Sequence, residues 1–224
     1  GEVLAQNVNS YTVIAYLSST RTTNENNPKH VVDKDKTAEE LAPLINMTKE
    51  QILSLLNKDL YQVELGPGGR GITELTKKVI EKLNLPGIDF VASTKRYYKM
   101  GNFASYIIGY ARPNDNEEIT GEMGIEKYYN EKLKGKDGKK TYQQDAYGYQ
   151  LPDNSKHPVL IEEAEDGNDI YLTIDNNIQL IAENAVYSLA EKHDLKWVTF
   201  SVMEAKTGAI VASASTPNFN LNTL

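Results

Sequence analysis

The sequence predicts an α+β chain in two parts. An irregular mixed α/β region runs to about residue 165, and a strand, an amphipathic helix and a β-hairpin fill 166–224. Three observations carry this. Short runs rich in Val, Ile and Tyr alternate with short capped helices, without a regular strand–helix repeat. The stretch 96–165 is crowded with Tyr, Gly, Asn, Lys and Asp and has little periodicity. From Asp169 onward the pattern becomes regular, and it stays so to Asn220.

In order along the chain, 11–17 (YTVIAYL) suits a strand, and the polar residues 20–36 suit a loop. Thr37 with Glu40 reads as a capping box, with Leu41, Leu44 and Ile45 as the apolar stripe behind it. Thr48 with Gln51 makes a second box before Ile52, Leu55 and Leu56. The alternating run 61–65 (YQVEL) predicts a half-exposed strand. A helix is expected over 73–84, with Leu75, Val79 and Leu83 on one face and Leu85-Pro86-Gly87 as its stop. IDFVAST (88–94) is strand-like.

A further helix is expected over 124–133, with Ile125, Tyr128, Tyr129 and Leu133 on a common face. KGKDGKK after it reads as a basic turn, and 141–150 as a strand pair. The Pro- and charge-rich segment 152–168 is the expected boundary. DIYLTID (169–175) then predicts a strand, and Asp175 a helix N-cap. Ile178, Ile181, Ala182, Ala185, Val186 and Leu189 make a full helical stripe. Val198, Phe200 and Val202 face Ile210, Ala212 and Ala214 across a hairpin whose loop, Glu204 to Gly208, has a glycine for its left-handed position. An unfinished sheet edge and an unfinished apolar face are expected there.

Composition excludes several classes. The net charge is −7, from 24 Lys and Arg against 31 Asp and Glu, so the basic footprint that nucleic acid or an anionic membrane requires is missing. There is no cysteine, hence no disulfide framework and no thiolate metal site. No run approaches the roughly 20 apolar residues of a membrane span. His30, His157 and His193 are scattered and read as surface residues, and no metal-ligand spacing or cofactor motif holds up. The tyrosines at 97, 98, 106, 110, 128, 129, 142, 147 and 149 read as core and edge residues, with a glycan-facing surface as the alternative.

Two glycine and lysine motifs imitate active sites. Gly66, Gly68 and Gly71 spell G-x-G-x-x-G, with Asp89 downstream, the pattern of a dinucleotide site in an oxidoreductase. The alternation of Gln62 and Glu64 and the missing N–H of Pro67 favour a plain strand-to-helix connection. Replacement of the essential lysine by Ile72 removes a phosphate-loop reading. Lys206, Thr207 and Gly208 spell K-T-G, one of three motifs of serine acyl-transfer enzymes. No serine in the chain has lysine three residues on, so this trio reads as a turn and not as an active site.

Five segments together resemble the class B penicillin-binding proteins, the D,D-transpeptidases of peptidoglycan synthesis. They are GEVLAQN at the start, RYYKMGNFASYIIGY (96–110), GEMGIEKYYNEKLKGKDG (121–138), DIYLTIDNNIQLIAENAV (169–186) and VMEAKTGAIVASASTPNFN (202–220), in the family's order. Lys99 departs from the family's usual proline, and Glu204 from a common aspartate. The resemblance implies that residues 1–165 form a non-catalytic pedestal, or dimerisation-type, domain. Residues 166–224 would be the first strand, helix and hairpin of a transpeptidase sheet, with the serine motifs expected beyond residue 224. It implies no catalytic or substrate-binding residue in this chain, and no cofactor. Arg96, Gly101, Gly109, Gly124 and Glu126 would join segments, with Arg96 paired to Glu126. It further implies an extracytoplasmic location held by an anchor upstream of Gly1, and a second copy or a membrane protein of wall synthesis as partner. Peptidoglycan stem peptides and β-lactams would be the ligands of the whole enzyme.

Overall fold

The structure is a computed structural model and describes residues 1–114, 118–143, 151–154, 156 and 158–223. The expected strand pair at 141–150 lies mostly outside these residues, as do Tyr147, Tyr149 and His157. The chain packs as two compact units, Ala5–Tyr97 and, together, Gly1–Leu4 with Tyr98–Leu224. Among the described residues no helix is long and apolar enough to cross a membrane.

The first unit is built on a three-stranded sheet in the order β2–β1–β3. Strand β1 spans Ala5–Tyr16, β2 Gln62–Glu64 and β3 Ile88–Tyr98. The β1–β2 pair is antiparallel, with Ala15 opposite Val63. On the other side Ser10 meets Ser93 and Asn7 meets Arg96, so β3 also runs against β1. Helices α1 (Lys34–Leu41), α2 (Lys49–Leu56) and α3 (Glu74–Lys82) supply the rest. Val13 and Ala15 of β1 form one core with Leu41, Ile45, Ile52, Leu56, Leu65 and Ile80.

The capping box of Thr48 and Gln51 is present in both directions. The one expected at Thr37 is not. Asp33 caps α1 by accepting the Lys36 N–H at 2.9 Å, and Thr37 lies inside the helix with its hydroxyl donating to the Asp33 carbonyl at 2.7 Å. Threonine can bond back one turn, so its presence before a glutamate does not fix a helix start.

The stripe expected on α3 is displaced as well. Leu75 is 76% exposed and Val79 is exposed, while Ile80 is buried. Leu83 does pack on the core. Lys77 takes the remaining place, its ammonium 4.3 Å from the Tyr11 ring centre and 5.8 Å from that of Phe90. A lysine lays its methylene stem on apolar surface while its head stays wet, which hides it from an apolar count. A hydrogen bond from Tyr11, and then Lys78 and Lys77, hold the Glu74 carboxyl below its usual range. This ties β1 to the first turn of α3.

The glycine trio is the connection between β2 and α3. The strands on either side of α3, β2 and β3, are both antiparallel to β1 and are held apart by it, so they are not the adjacent parallel pair of a dinucleotide-binding unit. Gly68 serves packing instead, since a Cβ there would lie 1.8 Å from the Ile45 carbonyl oxygen.

In the second unit α4 (Ser105–Ile108) leads to a ribbon of β4 (Ala111–Pro113) and β5 (Ile119–Gly121). The helix expected over 124–133 is two short ones, α5 (Gly124–Tyr128) and α6 (Asn130–Leu133). Tyr129, at φ −105° and ψ 18°, breaks them apart, and Asn130 next to it takes the Gly121 N–H at 2.9 Å. Tyr128 is thereby turned to solvent. A second ribbon pairs β6 (Lys139–Thr141) with β7 (Leu160–Glu162).

Residues 169–175 form no strand. They run beside the hairpin through the Asp175 N–H to Val211 (2.8 Å) and the Thr173 hydroxyl to Ile210 (2.6 Å). Helix α7 (Asn176–His193) is capped by Asp175, which accepts from Asn177 and Ile178. It packs on the hairpin of β8 (Val198–Met203) and β9 (Ile210–Thr216). Only Gln179, Ala182 and Val186 are buried; Ile178, Ile181 and Leu189 of the expected stripe are exposed. A two-stranded hairpin is too narrow to cover a full helical face. Phe200, Met203 and Ile210 are exposed on it for the same reason.

Candidate functional site: a scaffold that joins distant segments

The most constrained part of the second unit is where three remote stretches, 98–111, 121–130 and 175–222, meet. Glycine makes the first junction possible. Gly109 follows α4 at φ 68° and ψ −166°, a conformation open in practice to glycine alone. Its α-carbon faces the turn that opens α5: a Cβ on Gly109 would lie 1.8 Å from the Met123 carbonyl oxygen. Gly124, at φ 62°, returns the contact, since a Cβ there would lie 2.7 Å from the Gly109 nitrogen. The two backbones touch with no room for side chains. Glu122 N–H to the Tyr110 carbonyl (2.8 Å) and Ala111 N–H to the Tyr98 hydroxyl (2.7 Å) close the junction.

Side-chain amides make the other two junctions. Asn222 accepts the Tyr98 N–H at 3.0 Å and donates to the Tyr98 carbonyl at 2.8 Å. Gln179, 0% exposed, accepts the Ser213 N–H at 2.7 Å and donates to the Ser213 carbonyl at 2.9 Å. In each case an amide supplies the donor and acceptor that a neighbouring strand would have offered. Gln179 also donates to Glu183 (2.9 Å), whose carboxylate accepts the Ala104 N–H at 2.7 Å. Ala104 holds a left-handed conformation at φ 46°, so Glu183 pins a turn that alanine alone does not favour. Gly101, at φ 58°, receives the Leu221 N–H at 3.1 Å.

Of the residues singled out from sequence, the structure brings Gly109 and Gly124 together and sets Gly101 against Leu221. Arg96 lies in the first unit, where it donates to Asn7 at 3.1 Å. Glu126 lies in the second and is 5% exposed. Lys206, Thr207 and Gly208 form the hairpin loop. Glu204 bonds Ala209 (2.9 Å) and Gly208 (2.8 Å) through its backbone and the Thr207 hydroxyl through its carboxylate, with Gly208 at φ 75°. Sequence reasoning missed Gln179, Glu183 and Asn222. The available signal for Gln179 was a polar residue one turn before Ala182 and two before Val186, on the same helical face.

The arrangement has the chemistry of a fastening. A cavity of about 20 Å³ lies there, lined by Asn102, Ser105, Tyr106, Glu183, Ser213 and Asn218. It has room for no more than a water. Among the described residues no group of His, Asp and Glu could hold a metal ion.

Comparison with known proteins gives the scaffold relatives. Residues 1–172 match the family model described as the penicillin-binding protein dimerisation domain. Stage V sporulation protein D of Bacillus subtilis is 31% identical over 193 residues, covering 86% of this chain and 29% of that protein. A probable peptidoglycan D,D-transpeptidase, PenA of Neisseria gonorrhoeae, is 31% identical over 152 residues, covering 66% of this chain and 25% of that one. Among solved structures, penicillin-binding protein 2X of Streptococcus thermophilus superposes with a TM-score of 0.67 at 31% identity, covering 100% of this chain and 34% of that one. The chain thus spans a third or less of the length of these two relatives.

Proposed function

The chain belongs to the penicillin-binding protein dimerisation domain family, and from that premise we propose that it is the non-catalytic scaffold of a D,D-transpeptidase. Residues 1–165 are the pedestal in this reading, and 166–224 the entry to the transpeptidase domain. The family match, which ends at residue 172, supports a functional boundary near the proposed 165/166, distinct from the packing division at Tyr97. The observation that carries the reading is the contact of Gly109 with Gly124, which fuses two of the family-like segments backbone to backbone.

The whole enzyme would acylate a lysine-activated serine with D-Ala-D-Ala stem peptides or β-lactams. It would act on the outer face of the cytoplasmic membrane, held by an N-terminal anchor. In this chain no serine has lysine three residues on. Incubation with fluorescent penicillin is therefore expected to leave no covalent adduct on it. A stable adduct would sink the proposal.

The family's description as a dimerisation domain favours a second, compatible role as an interaction module. The partner would be a second copy or a membrane protein of wall synthesis. Sedimentation over a range of concentrations separates the two, since only self-association makes the sedimentation of the pure chain concentration-dependent.

The pairing of Arg96 with Glu126 belongs to the same proposal. Its support is the burial of Glu126, because a buried carboxylate needs a cation or several donors. Removing either partner is expected to cost on the order of 3 kcal/mol. In a double-mutant cycle, Arg96→Met with Glu126→Gln should cost clearly less than the sum of the two single changes. Strict additivity would refute the pair.

A further inference from the structure

Ribbon β6–β7 is firmly rooted, and above its root the residues of both strands are exposed. At its base Lys136 and Glu165 exchange both backbone bonds (2.8 and 2.9 Å) and their side chains meet at 2.8 Å. Two glycines lock the root: a Cβ on Gly135 would lie 2.3 Å from the Glu165 carbonyl oxygen, and one on Gly167 1.9 Å from that of Leu133. Above the root the same register continues, with Lys139 opposite Glu162, Lys140 opposite Ile161 and Thr141 opposite Leu160. All six of these residues are exposed, and no described strand lies along either outer edge. A two-stranded ribbon without further cover is only marginally stable in water.

The register decides which backbone groups are on offer. Antiparallel pairs alternate between those that bond each other and those that turn outward. Because Lys136 and Glu165 bond each other, Lys140 and Ile161 do so too. Lys139 and Thr141 then turn their N–H and C=O groups outward on β6, and Leu160 and Glu162 do so on β7. The two edges differ in chemistry. Strand β6 follows Lys136 and carries Lys139 and Lys140. Strand β7 carries Leu160 and Ile161, each 62% exposed, and runs into Glu162, Glu163 and Glu165.

We infer that the outer edge of β7 is a docking edge for an extended basic peptide strand, joined by backbone pairing at Leu160 and Glu162. Two features choose β7 over β6. It holds the ribbon's exposed aliphatic side chains, which give an added strand something apolar to cover. Glu162 and Glu163 also share the sign of the whole chain at −7, so the long-range field and the local edge attract the same partner. The strand that fits alternates lysine or arginine with aliphatic residues. This inference does not depend on the transpeptidase reading.

The experiment measures amide hydrogen exchange by NMR on the full chain. The probe is a short synthetic peptide alternating lysine and valine. Its controls are a peptide of the same composition with the lysines grouped, and a glutamate–valine counterpart. The alternating lysine peptide is expected to slow exchange at Leu160 and Glu162 on the order of tenfold, and at Lys139 and Thr141 not at all. Glu162→Pro, which removes an outward N–H and leaves the ribbon's own bonds, should abolish the effect, whereas Thr141→Pro should not. Glu162→Lys with Glu163→Lys should transfer the preference to the glutamate peptide. Protection along β6 instead, no protection at all, or equal protection by the grouped peptide would overturn the inference. So would concentration-dependent protection of Leu160 and Glu162 without peptide, which would make a second copy the occupant.

Discussion

Gly109→Ala is expected to cost about 3–5 kcal/mol, enough to unfold the second unit of a marginally stable chain. Two costs combine. The backbone at φ 68° and ψ −166° is one that a side-chain-bearing residue adopts only under strain. The added methyl would also lie 1.8 Å from the Met123 carbonyl oxygen, which cannot move without opening the start of α5. Gly208→Ala is the matched control. Its φ is 75° but nothing lies within 4 Å of the new Cβ, so only the conformational cost of about 1–2 kcal/mol remains. Urea denaturation of both variants checks the contrast. Equal losses would mean that Gly109 is needed for its dihedral angles alone and that the contact with Gly124 carries no weight.

That contrast also marks what the sequence could reveal. The two glycines belong to separate segments 15 residues apart, and each looks like an ordinary turn residue. Only the family-like spelling of 96–110 and 121–138 suggested that they act together. Local rules did well where the cause is local. Thr48 with Gln51 and Asp175 cap their helices because the bonds run within one turn, and Gly208 closes its loop because that geometry needs a positive φ. Rules failed where tertiary context chose between equivalent faces. Leu75 and Val79 recur at helical spacing, yet the stem of Lys77 occupies the covered face of α3. Ile181 lies in a regular stripe, but the hairpin is only two strands wide. Apolar periodicity reports which residues could be buried, and the width of the partner decides which of them are.

Gln179→Met is the second variant with a large expected effect, about 2–4 kcal/mol. The substitution keeps an unbranched side chain of similar length. What it removes is the amide that serves both backbone groups of Ser213. Losing a buried partner costs the desolvation of each group left behind, which exceeds the worth of the bond itself. The Glu183 carboxylate loses a donor as well, and with it part of its hold on the strained Ala104 turn. Faster hydrogen exchange at the Ser213 and Ala104 amides should accompany the loss. Gln179→Glu tests the same site from the other side. It keeps an acceptor for the Ser213 N–H but places a carboxylate against the Ser213 carbonyl and the Glu183 carboxylate. Like charges at close range favour the protonated acid, so the folded-state pKa of the new side chain rises above its unfolded value. A folded state that binds the extra proton more tightly gains stability as pH falls through the carboxylate range. Gln179→Glu should therefore be more damaging than Gln179→Met at neutral pH and recover toward the parent in mild acid, a recovery the methionine variant lacks. If both variants respond to acid alike, the amide is packing material and the bonds to Ser213 do not hold α7 to the hairpin.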